Sequence, residues 1–228
     1  MRPKITRYRP IMTRWHWWTL TAFAVLVAAT WWSPLWPGEQ ALHTSLTVLA
    51  LLALAWVQRR HPLPLGSWLL VLLFLSLHTV AARWLYSAVP YDDWTQAAFG
   101  IRLSDAFSWH RNHFDRLVHF TYGLCLVGVL HRHLGWWRSV EVVVSTSALY
   151  ELFEWAIAMT LAPDLAESYN GQQGDMWDPH KDMALALLGA VVMVALQAVT
   201  SRRKTPTNTP RPKPPTSTPK PEPATHQT

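Results

Sequence analysis

Apolar residues in this chain run in long blocks separated by short polar stretches, without the strict alternation of a half-buried sheet. Six blocks fall at about 15–33, 41–57, 66–85, 114–131, 139–161 and 180–200. Roughly 17–25 mostly apolar residues suffice to cross a bilayer as a helix. The pattern therefore predicts an all-α polytopic membrane protein, a bundle of six transmembrane helices over residues 15–200. A basic segment, 1–14, precedes it. Residues 201–228 are rich in Pro and Thr, with scattered Lys and Arg, and lack the apolar surface to offset ordering entropy. They are predicted to form a disordered tail. The first block is longer than a signal-peptide core and ends in Trp31-Trp32-Ser33-Pro34 instead of a small-residue cleavage site, so it reads as a retained helix.

Composition agrees with this reading. Half of the residues are hydrophobic and 15% are charged, and many of the 15 Trp sit at block ends, where amphipathic rings meet headgroups. The lone Cys125 lies inside the fourth block and excludes an intrachain disulfide.

A pI near 9.8 in a soluble protein would point to nucleic acid. Here the basic residues sort by loop instead. Arg2, Lys4, Arg7, Arg9 and Arg14 precede the first span, Arg59 and Arg60 follow the second, Arg132 and Arg138 flank the fourth loop, and six more occupy the tail. By the positive-inside rule both termini are cytoplasmic. The expected partner is the lipid bilayer and not nucleic acid. Acidic residues, including Asp92, Asp93, Asp105, Asp175 and Asp178, gather mainly on the opposite side.

Ionisable residues inside the apolar blocks change the picture further. An ionised side chain in hydrocarbon costs about 2.5–3.5 kcal/mol on insertion scales, so such residues face an interior, pair, or work. Given the topology, His78, Asp115, His119, Glu151, Glu154 and Asp182 all fall in the outer half of their spans. Asp115, His119 and Tyr122 share one stripe of the fourth span, Glu151 and Glu154 one stripe of the fifth, and Asp178 and Asp182 one face of the sixth. These stripes are expected to converge. Asp178 before Pro179 also reads as a helix cap, and Arg111 or Arg116 as an interfacial partner of Asp115.

Several strings resemble the YjdF family of bacterial inner-membrane proteins. Asn112-His113-Phe114-Asp115-Arg116-Leu117-Val118-His119-Phe120 with Tyr122-Gly123 is similar to its first block, and Tyr150-Glu151-Leu152-Phe153-Glu154-Trp155 to its second. Gly174-Asp175-Met176-Trp177-Asp178 with Lys181-Asp182-Met183-Ala184 resembles the third, and His78 through Arg83, Tyr86 and Pro90 to Trp94 a fourth. The chain departs from the pattern at Thr79, where an acidic residue is expected. A remoter similarity is to VanZ-like membrane proteins. The resemblance implies a multi-pass protein of the bacterial inner membrane, without a particular activity.

Three function classes follow from the residues. Asp115, Glu151, Glu154, Asp178 and Asp182 offer hard oxygen donors and His119 an imidazole; Asp115, His119, Glu151 and Asp182 suit a divalent metal, and Glu151, Glu154, His119 and Asp115 paired acid–base work. Tyr122, Asp175, Asp178, Lys181 and His78 are expected to support that site. This reading is an outward-facing membrane enzyme acting on an envelope or lipid-linked substrate. The alternatives are a scaffold with a purely structural polar cluster and a proton-coupled transporter. The transporter is disfavoured because the cytoplasmic half lacks matching polar groups. The 91–111 loop, carrying Trp94, Phe99, Phe107 and Trp109, is expected to lie in the interface over the site.

Overall fold

The structure is a computed structural model that describes residues 12–161 and 172–204. The basic N-terminal stretch up to residue 11 and the tail from 205 onward, with its expected disorder, lie outside the described residues. The chain forms α1 (Arg14–Thr30), α2 (Pro37–Arg60), α3 (Leu65–Arg83), α4 (Tyr91–Phe99), α5 (Leu103–Ala106), α6 (Phe114–Leu134), α7 (Trp136–Leu161) and α8 (Asp178–Lys204), with no strand among the described residues.

Each predicted span is met by one long helix. Four of these, over Pro37–Arg60, Leu65–Arg83, Trp136–Thr160 and Asp178–Thr200, are long and apolar enough to cross a membrane. At 17 residues α1 is shorter, and α6 carries Asp115, Arg116 and Arg132 among its apolar residues. The 91–111 loop is more ordered than its sequence pattern indicates. It folds into α4 and α5, joined at Gly100, whose φ of 73° supplies the left-handed stop for α4.

Local chemistry sets the helix ends. Pro37 opens α2 with Glu39 in the first turn, and Arg59 and Arg60 close it, matching the helix dipole at both ends. The C-terminus of α6 is similarly basic, with His131, Arg132 and His133 before Gly135. After α3 the chain turns through Leu85 and Tyr86, both left-handed at φ 48° and 60°. Bulky residues rarely adopt that region, so packing must hold them there. Both side chains are buried.

Packing divides the long helices into two groups. α1 and α2 lie on α3, while α7 and α8 lie on α6 and on each other, and α3 against α6 joins the halves. The most extensive contact is α6 with α8. A Cβ on Gly123 would overlap the backbone of Ala186, and one on Gly189 would overlap the backbone of Phe120 and Leu124. Ala186 and Ala190 are fully buried in the same seam. Small residues thus let two backbones meet, as membrane helices require when no hydrophobic drive brings them together. Large apolar side chains such as Leu49, Leu52, Leu149, Leu188 and Val191 point outward from the long helices, where lipid would cover them.

This seam makes a sharp prediction. Gly123→Ala and Gly189→Ala should each destabilise the protein by about 1–3 kcal/mol through overpacking. Gly66→Ala, with nothing within 4 Å of the added carbon, should be neutral or slightly stabilising. Thermal unfolding in mild detergent distinguishes them; equal effects at all three positions would mean that the seam is not closely packed.

Candidate acidic and histidine site

The N-termini of α6 and α8 lie at the same end of the bundle, beside α4 and α5. Asp115 stands in the first turn of α6 and Asp182 just past the first turn of α8. Both gain from the positive end of their helix. His119, one turn below Asp115, shares its stripe. The three are buried and offer ligand atoms that all lie within 4.8 Å of one another. Glu151 of α7 completes the group from the other side.

His119 is the hub. Its Nε2 is 3.5 Å from Asp115 Oδ1, and its Nδ1 is 3.7 Å from Glu151 Oε1. These separations exceed good hydrogen-bond lengths. The first is close to the spacing between neighbouring ligands on one ion, about 3.0–3.4 Å for metal–ligand bonds near 2.0–2.1 Å. Asp182 Oδ1 and Glu151 Oε1 are buried without a hydrogen-bond partner. A buried carboxylate oxygen without a partner is costly, and a cation or proton relieves the cost.

A second polar layer frames the group. Arg111 Nη1 donates to Asp178 Oδ1 at 2.5 Å, and Nη2 to Oδ2 at 3.1 Å. Arg116 Nη2 donates to Asp175 Oδ2 at 2.8 Å and lies 3.4 Å from Asp178 Oδ1. Lys181 Nζ donates to the same Asp175 oxygen at 2.5 Å. The two arginines therefore serve Asp175 and Asp178 instead of anchoring Asp115. The expected cap at Asp178 is likewise corrected: its carboxylate is turned to the Arg111 fork, whose paired bonds match a carboxylate better than backbone amides do. Asp175 takes the local backbone role, accepting from the Trp177 N–H at 3.1 Å. The preceding turn docks as well, since Gln173 Oε1 accepts from the Asn112 N–H at 2.8 Å and Gln173 Nε2 donates to the Asn112 carbonyl at 3.0 Å.

The remaining expected residues sort by distance from this hub. Glu154 is half-buried and lines a cavity of about 380 Å³ between α7 and α8, shared with Glu151, Asp178 and Asp182. It stays outside the three-residue ligand group. Tyr122 lines a different cavity, beside His119, and its hydroxyl is bonded to Thr146. His78 belongs to a separate buried group, bonded through Nδ1 to the Tyr86 hydroxyl and 3.2 Å through Nε2 from the His43 carbonyl. It faces His119 across a cavity of about 230 Å³. His43, fully buried, and the fork of Arg111 escaped the sequence reading. A histidine inside an apolar span reads as packing, although Gln40 and Thr47 lie on its face of α2, and Arg111 reads as a partner of Asp115 and not of Asp178. The nearby acidic pair Asp175 and Asp178 was the available signal for Arg111.

Around the site, electrostatics follow from these contacts. Burial acts against the charged form of Arg111, but the bond and charge of Asp178 outweigh it and raise its pKa. The Lys181 hydrogen bond, with help from Trp177 N–H and Arg116, holds the Asp175 carboxyl below the usual range.

Two predictions follow for this frame. Arg111→Ala leaves Asp178, 2% exposed, without its fork and should destabilise by about 3–5 kcal/mol, the cost of breaking a buried pair. Arg102→Ala removes an exposed pair with Asp93 and should cost at most about 1 kcal/mol. Detergent unfolding of the two variants tests the contrast. Asp175 has a folded pKa below its unfolded value, so its contribution is fully present above about pH 3.9 and is lost as pH falls through the lowered value. Asp175→Asn should therefore lower the unfolding temperature at neutral pH and converge on the wild type in strong acid. A difference that persists unchanged there would show that charge is not its source.

Comparison with known proteins agrees with this architecture. The family described as predicted membrane protein (DUF2238) matches residues 15–203. The inner membrane protein YjdF of Escherichia coli (strain K12) is 32% identical over 164 residues, covering 67% of this chain and 73% of that protein. No solved structure matches. Neither match bears on the VanZ-like resemblance. With the family match running from the start of α1 almost to the end of α8, the chain belongs to the DUF2238 family of predicted membrane proteins.

Proposed function

We propose that this protein is a membrane-embedded, divalent-metal-dependent enzyme acting on an envelope or lipid-linked substrate. The convergence of Asp115, His119 and Asp182, with ligand atoms within 4.8 Å, carries the reading. In it, Asp115, Asp182 and His119 through Nε2 are the ligands. Glu151, whose Oε1 lies 3.7 Å from His119 Nδ1, would accept the Nδ1 proton on a closer approach and so fix tautomer and ring direction, as outer partners of metal-bound histidines do. The donor set is oxygen-rich with one imidazole, which suits Mg²⁺ or Mn²⁺ and admits Fe²⁺ or Zn²⁺. Such an ion supplies a Lewis acid and lowers the pKa of bound water.

In this reading Glu154, which lines the cavity between α7 and α8 with Glu151 and Asp182, exchanges a proton with substrate. In the six-span reading both termini are cytoplasmic, and the end bearing α4 and α5 faces away from the cytoplasm. The site then opens to the outer leaflet. A scaffold role would leave the cluster's polar atoms satisfied by one another. The unpartnered Asp182 Oδ1 favours a ligand instead. A carrier would need comparable groups across the full thickness, and this cluster sits at one end.

Metal analysis of metal-replete protein purified in mild detergent tests the proposal. Wild type should hold a stoichiometric divalent ion, Asp115→Asn and Asp182→Asn should lose it, and Glu154→Gln should keep it. Metal at a hundredfold excess over its Kd should stabilise the wild type by about 2.7 kcal/mol. Protein that carries no such ion and unfolds identically in chelator would overturn the reading.

A further inference from the structure

The cavity of about 230 Å³ on the far side of His119 presents mostly apolar surface from four helices, with Leu46 and Ala50 of α2, Phe74 of α3 and Val118 of α6 in its wall beside the polar His78, Ser147 and Tyr150. It lies at the depth of the apolar spans. Thr146, which also lines it, is exposed, so the cavity reaches the outer surface of the bundle beside α7. Leu49 on α2 and Leu149 on α7 are exposed on the same helices and would meet lipid. The molecules available at such a mouth are lipids, and what fits the lining is hydrocarbon.

One unpartnered polar atom in that wall narrows the occupant. The Tyr122 hydroxyl is bonded to Thr146, and Thr146 donates to the Val142 carbonyl at 2.5 Å. Ser147 behaves differently. Its residue is 2% exposed and its Oγ is buried without a partner, although helical serines commonly bond the carbonyl one turn back. A buried hydroxyl donor beside an apolar lining, one turn from Glu151, suits a chain joined through an ester carbonyl. An isoprenyl chain has no such acceptor.

We infer that the cavity between α2, α3, α6 and α7 seats one acyl chain of a glycerophospholipid, with the Ser147 hydroxyl donating to its ester carbonyl. The inference rests on the reading of the Asp115–His119–Asp182 cluster as a catalytic site, and it names the substrate class of that site. The ester region of the lipid then lies against His119 and Glu151, while the headgroup projects toward the end of the bundle that carries α4 and α5.

Photocrosslinking tests the inference. The full chain is placed in nanodiscs of phosphatidylglycerol doped with the same lipid bearing a diazirine on one acyl chain, and labelled residues are mapped by mass spectrometry. Wild type should be labelled at Ala50, Phe74 and Val118 as well as at outward residues such as Leu49 and Leu149. Ala50→Trp should reduce the interior labels at least tenfold without changing the outward ones, and Ser147→Ala should reduce them about threefold. Thr47→Leu narrows the same cavity and provides a second variant if Ala50→Trp fails to fold. Interior labels absent from wild type, or unaltered by both filling variants, would overturn the inference. Displacement of the label by a polyisoprenyl phosphate as readily as by unlabelled phosphatidylglycerol would overturn the choice of an acyl ester. The metal reading is tested separately: Asp115→Asn should lose the ion yet keep the interior labels, and Ala50→Trp should lose the labels yet keep the ion.

Discussion

The close approach of α6 and α8 governs the geometry of this protein. Gly123 and Gly189 admit the backbone of the opposing helix where any side chain would collide. Two helices that start at the same end of the bundle are thereby held side by side, with their N-termini level. Asp115 and Asp182, one near the start of each helix, are brought together as a result. In membranes no hydrophobic drive selects one helix pairing over another, so backbone contact and polar groups must do so. The seam chooses the partner, and the acidic site inherits its spacing from that choice.

Crowding carboxylates in this way is costly, and the surroundings distribute the cost unequally. Asp175 and Asp178 have cations within reach: the Arg111 fork, Arg116 and Lys181. Among the described residues, Asp115 and Glu151 pair only with the two nitrogens of His119, and Asp182 keeps an oxygen without a partner. The guanidinium groups thus stabilise the rim and the turn before α8, leaving the inner carboxylates available. A cluster that existed only to join helices would gain by turning an arginine inward. The separation of a satisfied rim from an unsatisfied interior is the strongest physical argument for a bound cation.

Much of the site was legible from spacing. The stripe of Asp115 and His119, the position of Glu151 on the next span and that of Asp182 on the last could all be read from helical periodicity and charge topology. What spacing could not do was rank them. Glu154 shares a stripe with Glu151, yet the rotation of α7 leaves it half-buried along a side cavity. Tyr122 shares a stripe with His119, yet Thr146 holds its hydroxyl. His78 has a partner of its own in Tyr86, beyond the end of α3, and the left-handed turn at Leu85 and Tyr86 folds that hydroxyl back onto it. Such a turn leaves no mark in a sequence without glycine.

The amino-acid sequence by itself determined the helical class, the positions of the long apolar elements and the end of the bundle where ionisable groups gather. Those properties follow from the length and periodicity of apolar blocks, which are local. Tertiary structure alone decided which carboxylates meet His119, which are held by Arg111 and Arg116, and where the cavities lie. Salt-bridge partners here are about sixty residues apart in the chain. The bonds depend on helix rotation and backbone separation, and these emerge only when glycine seams and arginine forks are satisfied together.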